Sequence, residues 1–324
     1  MLTRRRFVLS SLALSASMTA FPAAKASKLI ERPIKLIVPF AAGGGVDVFA
    51  RLLAEKLRQR EGFTIVVENR AGASGSIGGN AVRTAEADGT TLLFSAGTHV
   101  MAQHVLKNSP YDPLADFAAI ARVGEAPMML VVPPTVAANN IGELLAEIRK
   151  TPTQWTFATS ALGSPGHLAE LDFNRLAGLG LPIQPYRGTA PALNDIAGGH
   201  VQLLIDPVLA LLPLASAKSV KGLAVTTAKR TPLADYPTAA ESGLAGMDHS
   251  TWYGVWGPKT LPAELVGKLN AMINAAVAEL KTDGQLAKLG IEPVAETPAQ
   301  FTDFAKSYVT RNAELLKVSK FEAM

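Results

Sequence analysis

Ile34-Lys35-Leu36-Ile37-Val38-Pro39-Phe40-Ala41-Ala42-Gly43-Gly44-Gly45-Val46-Asp47 is an apolar run that breaks on a proline, passes through three glycines and turns helical. Residues 34–38 have the length and branching of a buried strand. From Val46 to Arg60 the apolar positions Phe49, Leu52, Leu53 and Leu57 fall on one helical face. Strands at Thr64–Val67 and Thr91–Phe94 follow, with a glycine-rich helix start near Ser74–Ala81 between them. This βαβαβ order predicts a parallel sheet with helices on both faces.

The alternation then repeats. Met129–Val132 reads as a strand stopped by Pro133-Pro134. Asn140 with Glu143 caps a helix whose apolar face is Ile141, Leu144, Leu145 and Ile148. Strands at Trp155–Ala158, Ile183–Tyr186, Val201–Ile205 and Gly222–Val225 alternate with helices at Leu168–Leu176 and Ala190–Ala197. The tail is helical, with Leu265, Leu269, Met272, Ile273 and Leu280 on one stripe. Thr297-Pro298-Ala299-Gln300 opens a last helix to about Lys317 as a capping box. Two α/β lobes of similar size are the natural division, in keeping with 324 residues at about 150 per domain.

Cysteine is absent, which excludes disulfide frameworks, thiolate metal sites and a cysteine nucleophile. The net charge of +4 comes from residues 1–26, which hold Arg4, Arg5, Arg6 and Lys25 and no acid. Without them the chain is neutral, so no nucleic-acid footprint is expected. The basic start, the apolar stretch to about Phe21 and Ala24-Lys25-Ala26 before Ser27 form a secretory signal peptide pattern. Its paired arginines resemble a twin-arginine signal, with the general secretory route as the alternative. The apolar stretch falls short of the ~20 residues of a membrane span. The expectation is export, with cleavage after about Ala26.

In open α/β sheets ligands bind where strands end and helices begin. The first such junction offers Phe40, Ala41, Ala42, Gly43 and Gly44 with Asp47. Its glycines let backbone N–H groups approach a ligand, and with the helix dipole these favour an anion. The dinucleotide pattern fails at Val48, and the phosphate-loop Gly-Lys-Ser/Thr is missing, so no cofactor is expected. The second junction offers Thr159, Ser160, Ser164 and His167, with Ser164 as N-cap and Pro165 as first helical residue. Asp206 follows a third strand, where it either caps or, at a cleft, accepts a ligand N–H or O–H or holds a water. His99, His104, His167, His200 and His249 show no metal spacing with a carboxylate, and read as packing residues rather than ligands or bases. No nucleophile elbow or zinc-protease motif exists.

The stretch Ile34–Asp47 resembles the substrate-binding receptors of tripartite tricarboxylate transporters, the periplasmic Bug receptors of proteobacteria. So do Val66–Ala73, Asp88–Leu93, Tyr111–Phe117, Pro185–Leu193, Gly198–Leu203 and Ala224–Arg230, in order along the chain. The resemblance implies a type II-like periplasmic-binding-protein fold: two lobes, parallel or mixed sheets flanked by helices, and a ligand cleft between them. It implies a discontinuous first lobe, 27–125 and 227–324, around a second lobe, 126–226, with hinges near Glu125–Pro127 and Val225–Thr227. It further implies a monomer that binds a small organic acid, a di- or tricarboxylate or related carboxylate, through the first two junctions. The acid would be delivered to a two-subunit membrane permease. Leu162, Pro165 and Pro207 depart from the family pattern where ligand identity is read. An orphan periplasmic sensor is the alternative reading, and a cleft hydrolase a remote one. Nothing in the motifs points to an enzyme.

Overall fold

The computed structural model describes residues 29–231 and 235–324; the expected signal peptide lies outside them. The chain opens with β1 (Ile34–Val38), α1 (Gly45–Glu61), β2 (Ile65–Asn69), α2 (Ser76–Arg83) and β3 (Thr91–Ala96). β1 is central and parallel to both β2 and β3. α1 stops at Gly62, whose left-handed φ of 66° returns its N–H to Arg58. A short α3 (Ala102–Val105) leads to β4 (Phe117–Val132).

β4 is sixteen residues long, where the sequence pattern shows a strand only at its end. Its first part pairs with a later strand, β9, up to Pro127 opposite Ser250. From Met128 onward it pairs with β7 on one edge and β8 on the other. Pro127 therefore stands where the strand changes partners, a place that tolerates a missing N–H. Arg122, Gly124 and Glu125 interrupt the apolar pattern and conceal the strand. Register shifts near Ala119–Ala121 and Arg122–Gly124 mark bulges along the β9 pairing.

The second lobe continues with α4 (Ile141–Lys150), β5 (Phe157–Thr159), α5 (Pro165–Ala177), β6 (Ile183–Pro185), α6 (Thr189–Ala197), β7 (Leu203–Pro207), α7 (Val208–Ser216) and β8 (Lys221–Val225). Asn140 caps α4 as read from the sequence, its side chain accepting the Glu143 N–H at 2.8 Å. The chain then forms β9 (Ser250–Pro258), α8 (Ala263–Thr282), α9 (Gln285–Lys288), β10 (Glu292–Pro293) and α10 (Pro298–Val318). The Thr297–Gln300 capping box opens α10.

The two sheets are thus joined through β4 into one ladder of order β2-β1-β3-β9-β4-β7-β5-β6. The sheets are mixed, since β9 runs antiparallel to β3 and β4. One core lies between the first sheet and α1 and α8, around Phe49, Leu53 and Ile273. Another lies beneath α4 and α5, around Leu144, Phe157 and Phe173. The return to the first lobe falls later than Val225–Thr227. Val225 bridges Thr238, and Ala239, Leu244 and Met247 pack in the second core, so the chain re-enters at Ser250.

A third apolar cluster crosses between lobes. Leu162, Leu168 and Leu171 of the second lobe share it with Phe301, Tyr308 and Trp256 of the first. Phe301 is fully buried, its ring 5.8 Å from that of Trp252 and 5.1 Å from that of Trp256. Phe301→Ala is expected to lower unfolding free energy by about 3–5 kcal/mol, measured as a fall in urea midpoint at unchanged slope. A loss under about 1 kcal/mol would show that the cluster is not packed around this ring.

Candidate ligand-binding cleft

Four helix starts converge between the lobes. Gly44 caps α1, Ser164 caps α5, Gly188 precedes α6 and Pro207 precedes α7. All four line one cavity of about 30 Å³, room for about two waters. The first four N–H groups of a helix have no partner within it, so these ends present donors and positive potential to the same space. Among the described residues no Arg or Lys lines the cavity.

Asp47 fixes the first loop from within. Its carboxylate accepts the Gly43 N–H at 2.9 Å, Arg51 Nε at 3.0 Å and Asn69 Nδ2 at 2.9 Å. Asn69 also donates to the Phe40 carbonyl and accepts from Arg51. Gly43 has φ of 84°, the left-handed turn that aims the chain back into α1. Burial alone pushes the Asp47 carboxyl up. The bonds from Arg51, Gly43 and Asn69 outweigh it and hold the group below its usual range. Asp47 is therefore a charged, internally satisfied brace.

The second loop is built around Ser164 and His167. Ser164 Oγ accepts the His167 N–H at 3.0 Å, and His167 Nδ1 accepts the Gly163 N–H at 3.1 Å. The ring therefore carries its hydrogen on Nε2. Burial pushes His167 down to about 3, so it is neutral. Thr159 lies beneath the loop, its hydroxyl 3.4 Å from Ser164 Oγ. Ser160 Oγ donates to Asp206 Oδ1 at 3.4 Å, and Thr189 Oγ1 donates to Asp206 Oδ2 at 2.5 Å. Burial raises Asp206 to about 7 against those two bonds. Glu170, below it on α5, accepts the Ile205 N–H at 3.4 Å and is raised well above its usual range by burial, with Asp206 adding to the effect.

Of the residues singled out from the sequence, Phe40, Gly44, Asp47, Ser160, Ser164 and Asp206 line the cavity together. Ala41, Ala42, Gly43, Thr159 and His167 are not part of its lining. Ala41 instead donates its N–H to the Arg187 carbonyl across the lobes at 3.1 Å. Thr189, Gly188, Thr98 and Thr251 also line it and escaped the sequence reading. Thr189 was findable, because it follows a strand and opens a helix like the other junctions. His99 packs against Tyr111, Phe117 and Trp256, and burial lowers it to about 3. Among the described residues no group of three or more His, Asp or Glu is placed to hold a metal ion.

Residues 49–320 match the model of the tripartite tricarboxylate transporter family receptor, TctC. The chain belongs to this receptor family. It is 36% identical over 314 residues to a protein of the tcbD–tcbE intergenic region of Pseudomonas sp. (strain P51), covering 96% of this chain and 94% of that one. The structure of the periplasmic binding protein BugD superposes with a TM-score of 0.86 at 36% identity, covering 91% of this chain and 100% of that one. R. palustris Rpa4515, solved with adipate, gives 0.87 at 32% identity, covering 91% and 99%. BugD is a periplasmic binding protein, and the two-lobed α/β fold is shared with both solved structures.

The brace in this TctC receptor predicts an acid-sensitive term. The lowered Asp47 contributes stability above the unfolded carboxylate value, near 3.9, and loses it as pH falls through the lowered native value. Asp47→Asn is expected to cost about 1–3 kcal/mol at pH 7. In urea titrations that gap to wild type should hold down to about pH 5 and shrink below about pH 4. A gap that grows on acidification would refute the brace.

Proposed function

We propose that the protein is a periplasmic receptor that closes its lobes over a small carboxylate in this cleft. The closed form is presented to a two-subunit membrane permease of the tripartite type. Four helix N-termini facing one cation-free cavity carry the reading: such a site takes an anion on neutral N–H donors. Adipate in Rpa4515, a neighbour over nine-tenths of the chain, supports the carboxylate class. Residues 1–26 support export.

The lobes meet directly. Ala41 N–H reaches the Arg187 carbonyl, and Leu162 N–H reaches Ser74 Oγ at 3.1 Å. A cavity of about 30 Å³ admits no dicarboxylate as it stands, so entry breaks these contacts and the lobes part as rigid bodies.

Gly44 has φ of −79°, open to any residue, and a Cβ there would lie 3.3 Å from Thr189 Oγ1 on the opposite lobe. Gly44→Val is therefore expected to wedge the closed cleft without straining the backbone. A thermal-shift panel of mono-, di- and tricarboxylates tests this. At 100 times its dissociation constant, a ligand should add ~2.7 kcal/mol to wild type and nothing to the variant. Wild-type affinity in Gly44→Val would remove the carboxylate from this cleft. For the leader, Arg4→Lys with Arg5→Lys is expected to slow export sharply. Unchanged periplasmic yield would assign the general secretory route.

A further inference from the structure

The cavity's polar groups come from both lobes. Helix starts of both lobes offer backbone N–H donors, α1 from the first and α5, α6 and α7 from the second. On the second lobe, the hydroxyls of Ser160 and Thr189 both spend their hydrogens on Asp206. The two hydroxyl oxygens keep lone pairs, and an ionised Asp206 has lone pairs alone. That floor is therefore rich in acceptors. Asp206 is 3% exposed and, unlike Asp47, has no cation among its hydrogen-bond partners.

We infer that the ligand carries a hydrogen-bond donor, a hydroxyl or an ammonium, beside its carboxylate, and that Asp206 reads it. This rests on the carboxylate reading of the same cleft. The carboxylate lies on the N–H donors of the helix starts, and the donor lies on Asp206. A plain diacid instead brings a second carboxylate towards a buried carboxyl that lacks a counter-ion, which is repulsive in a low-dielectric site.

Proton exchange reports the contact. Asp206 is raised to about 7 by burial, so it can gain or lose a proton near neutral pH. An ammonium beside it favours the charged form and releases a proton; a second carboxylate favours the neutral form and takes one up. Of the other titratable groups around it, Tyr253 on β9 is raised by burial and stays protonated, and Asp47 across the cavity is lowered and stays ionised, while Glu170 on α5 is raised well above its usual range by burial, with Asp206 adding to the effect.

Calorimetry of the mature protein with succinate, L-malate and L-aspartate tests this, run near pH 7 in two buffers of different ionisation heat. L-Malate and L-aspartate are expected to bind about 10–100-fold tighter than succinate. L-Aspartate should release protons on binding and succinate take them up. Asp206→Asn should remove the L-aspartate advantage and abolish the proton exchange. Succinate binding as tightly as the other two, or Asp206→Asn weakening all three alike, overturns the inference. So does binding confined to plain acids, which leaves the carboxylate reading standing. No binding by any acid of the wider panel overturns that reading as well.

Discussion

Everything in this receptor hangs on the pairing of β4, a strand that belongs to both lobes. Its hydrogen bonds run to β9 through Pro127 and to β7 and β8 from Met128. Ser250, where the chain returns to the first lobe, lies directly opposite Pro127. The two crossings are therefore neighbours in one ladder. The same pairing sets the site. It places the end of β7, with Asp206 opposite Met129, at the seam where the β1–α1 loop of the other lobe comes in.

Two aspartates near that seam have opposite environments. Asp47 accepts bonds from a guanidinium, an amide and a backbone N–H, and is held charged. Asp206 accepts two hydroxyls and is pushed up by burial. The first is spent on shaping its loop. The second keeps an unbalanced carboxyl in contact with the cavity, and only such a group can still respond to what enters.

The βα units were legible because each shows its period and its punctuation. β1, α4 and α10 lie where strand length, Asn140 and Thr297 put them. β4 was legible for four residues of sixteen, since a strand that changes partners midway has no single buried face to alternate against. β9, buried on both faces, has no alternation, and the sequence pattern marks no strand there. The cavity lining followed from one rule, that open α/β sheets bind ligands where strands end and helices begin. The rule found Gly44, Ser160, Ser164 and Asp206. His167 shows its limit: a polar residue at the right junction, it is turned inward because Gly163 N–H needs an acceptor.

Closure has an apolar share as well as a polar one. Gly163 faces Met101 and Val105 so closely that a Cβ would come within 2.9 Å of Met101. Leu162, Leu168 and Leu171 enter a cluster with α10, and Phe321 stacks edge-on against His167 at 5.0 Å. These contacts join the lobes on the far side of the second loop and involve no cavity-lining group beyond the loop itself. A ligand shifts the open–closed balance only by its differential affinity for the two forms. Neutral N–H donors contribute roughly 0.5–1.5 kcal/mol each, less than a buried guanidinium fork would. Apolar contact between the lobes narrows the gap that a ligand has to span.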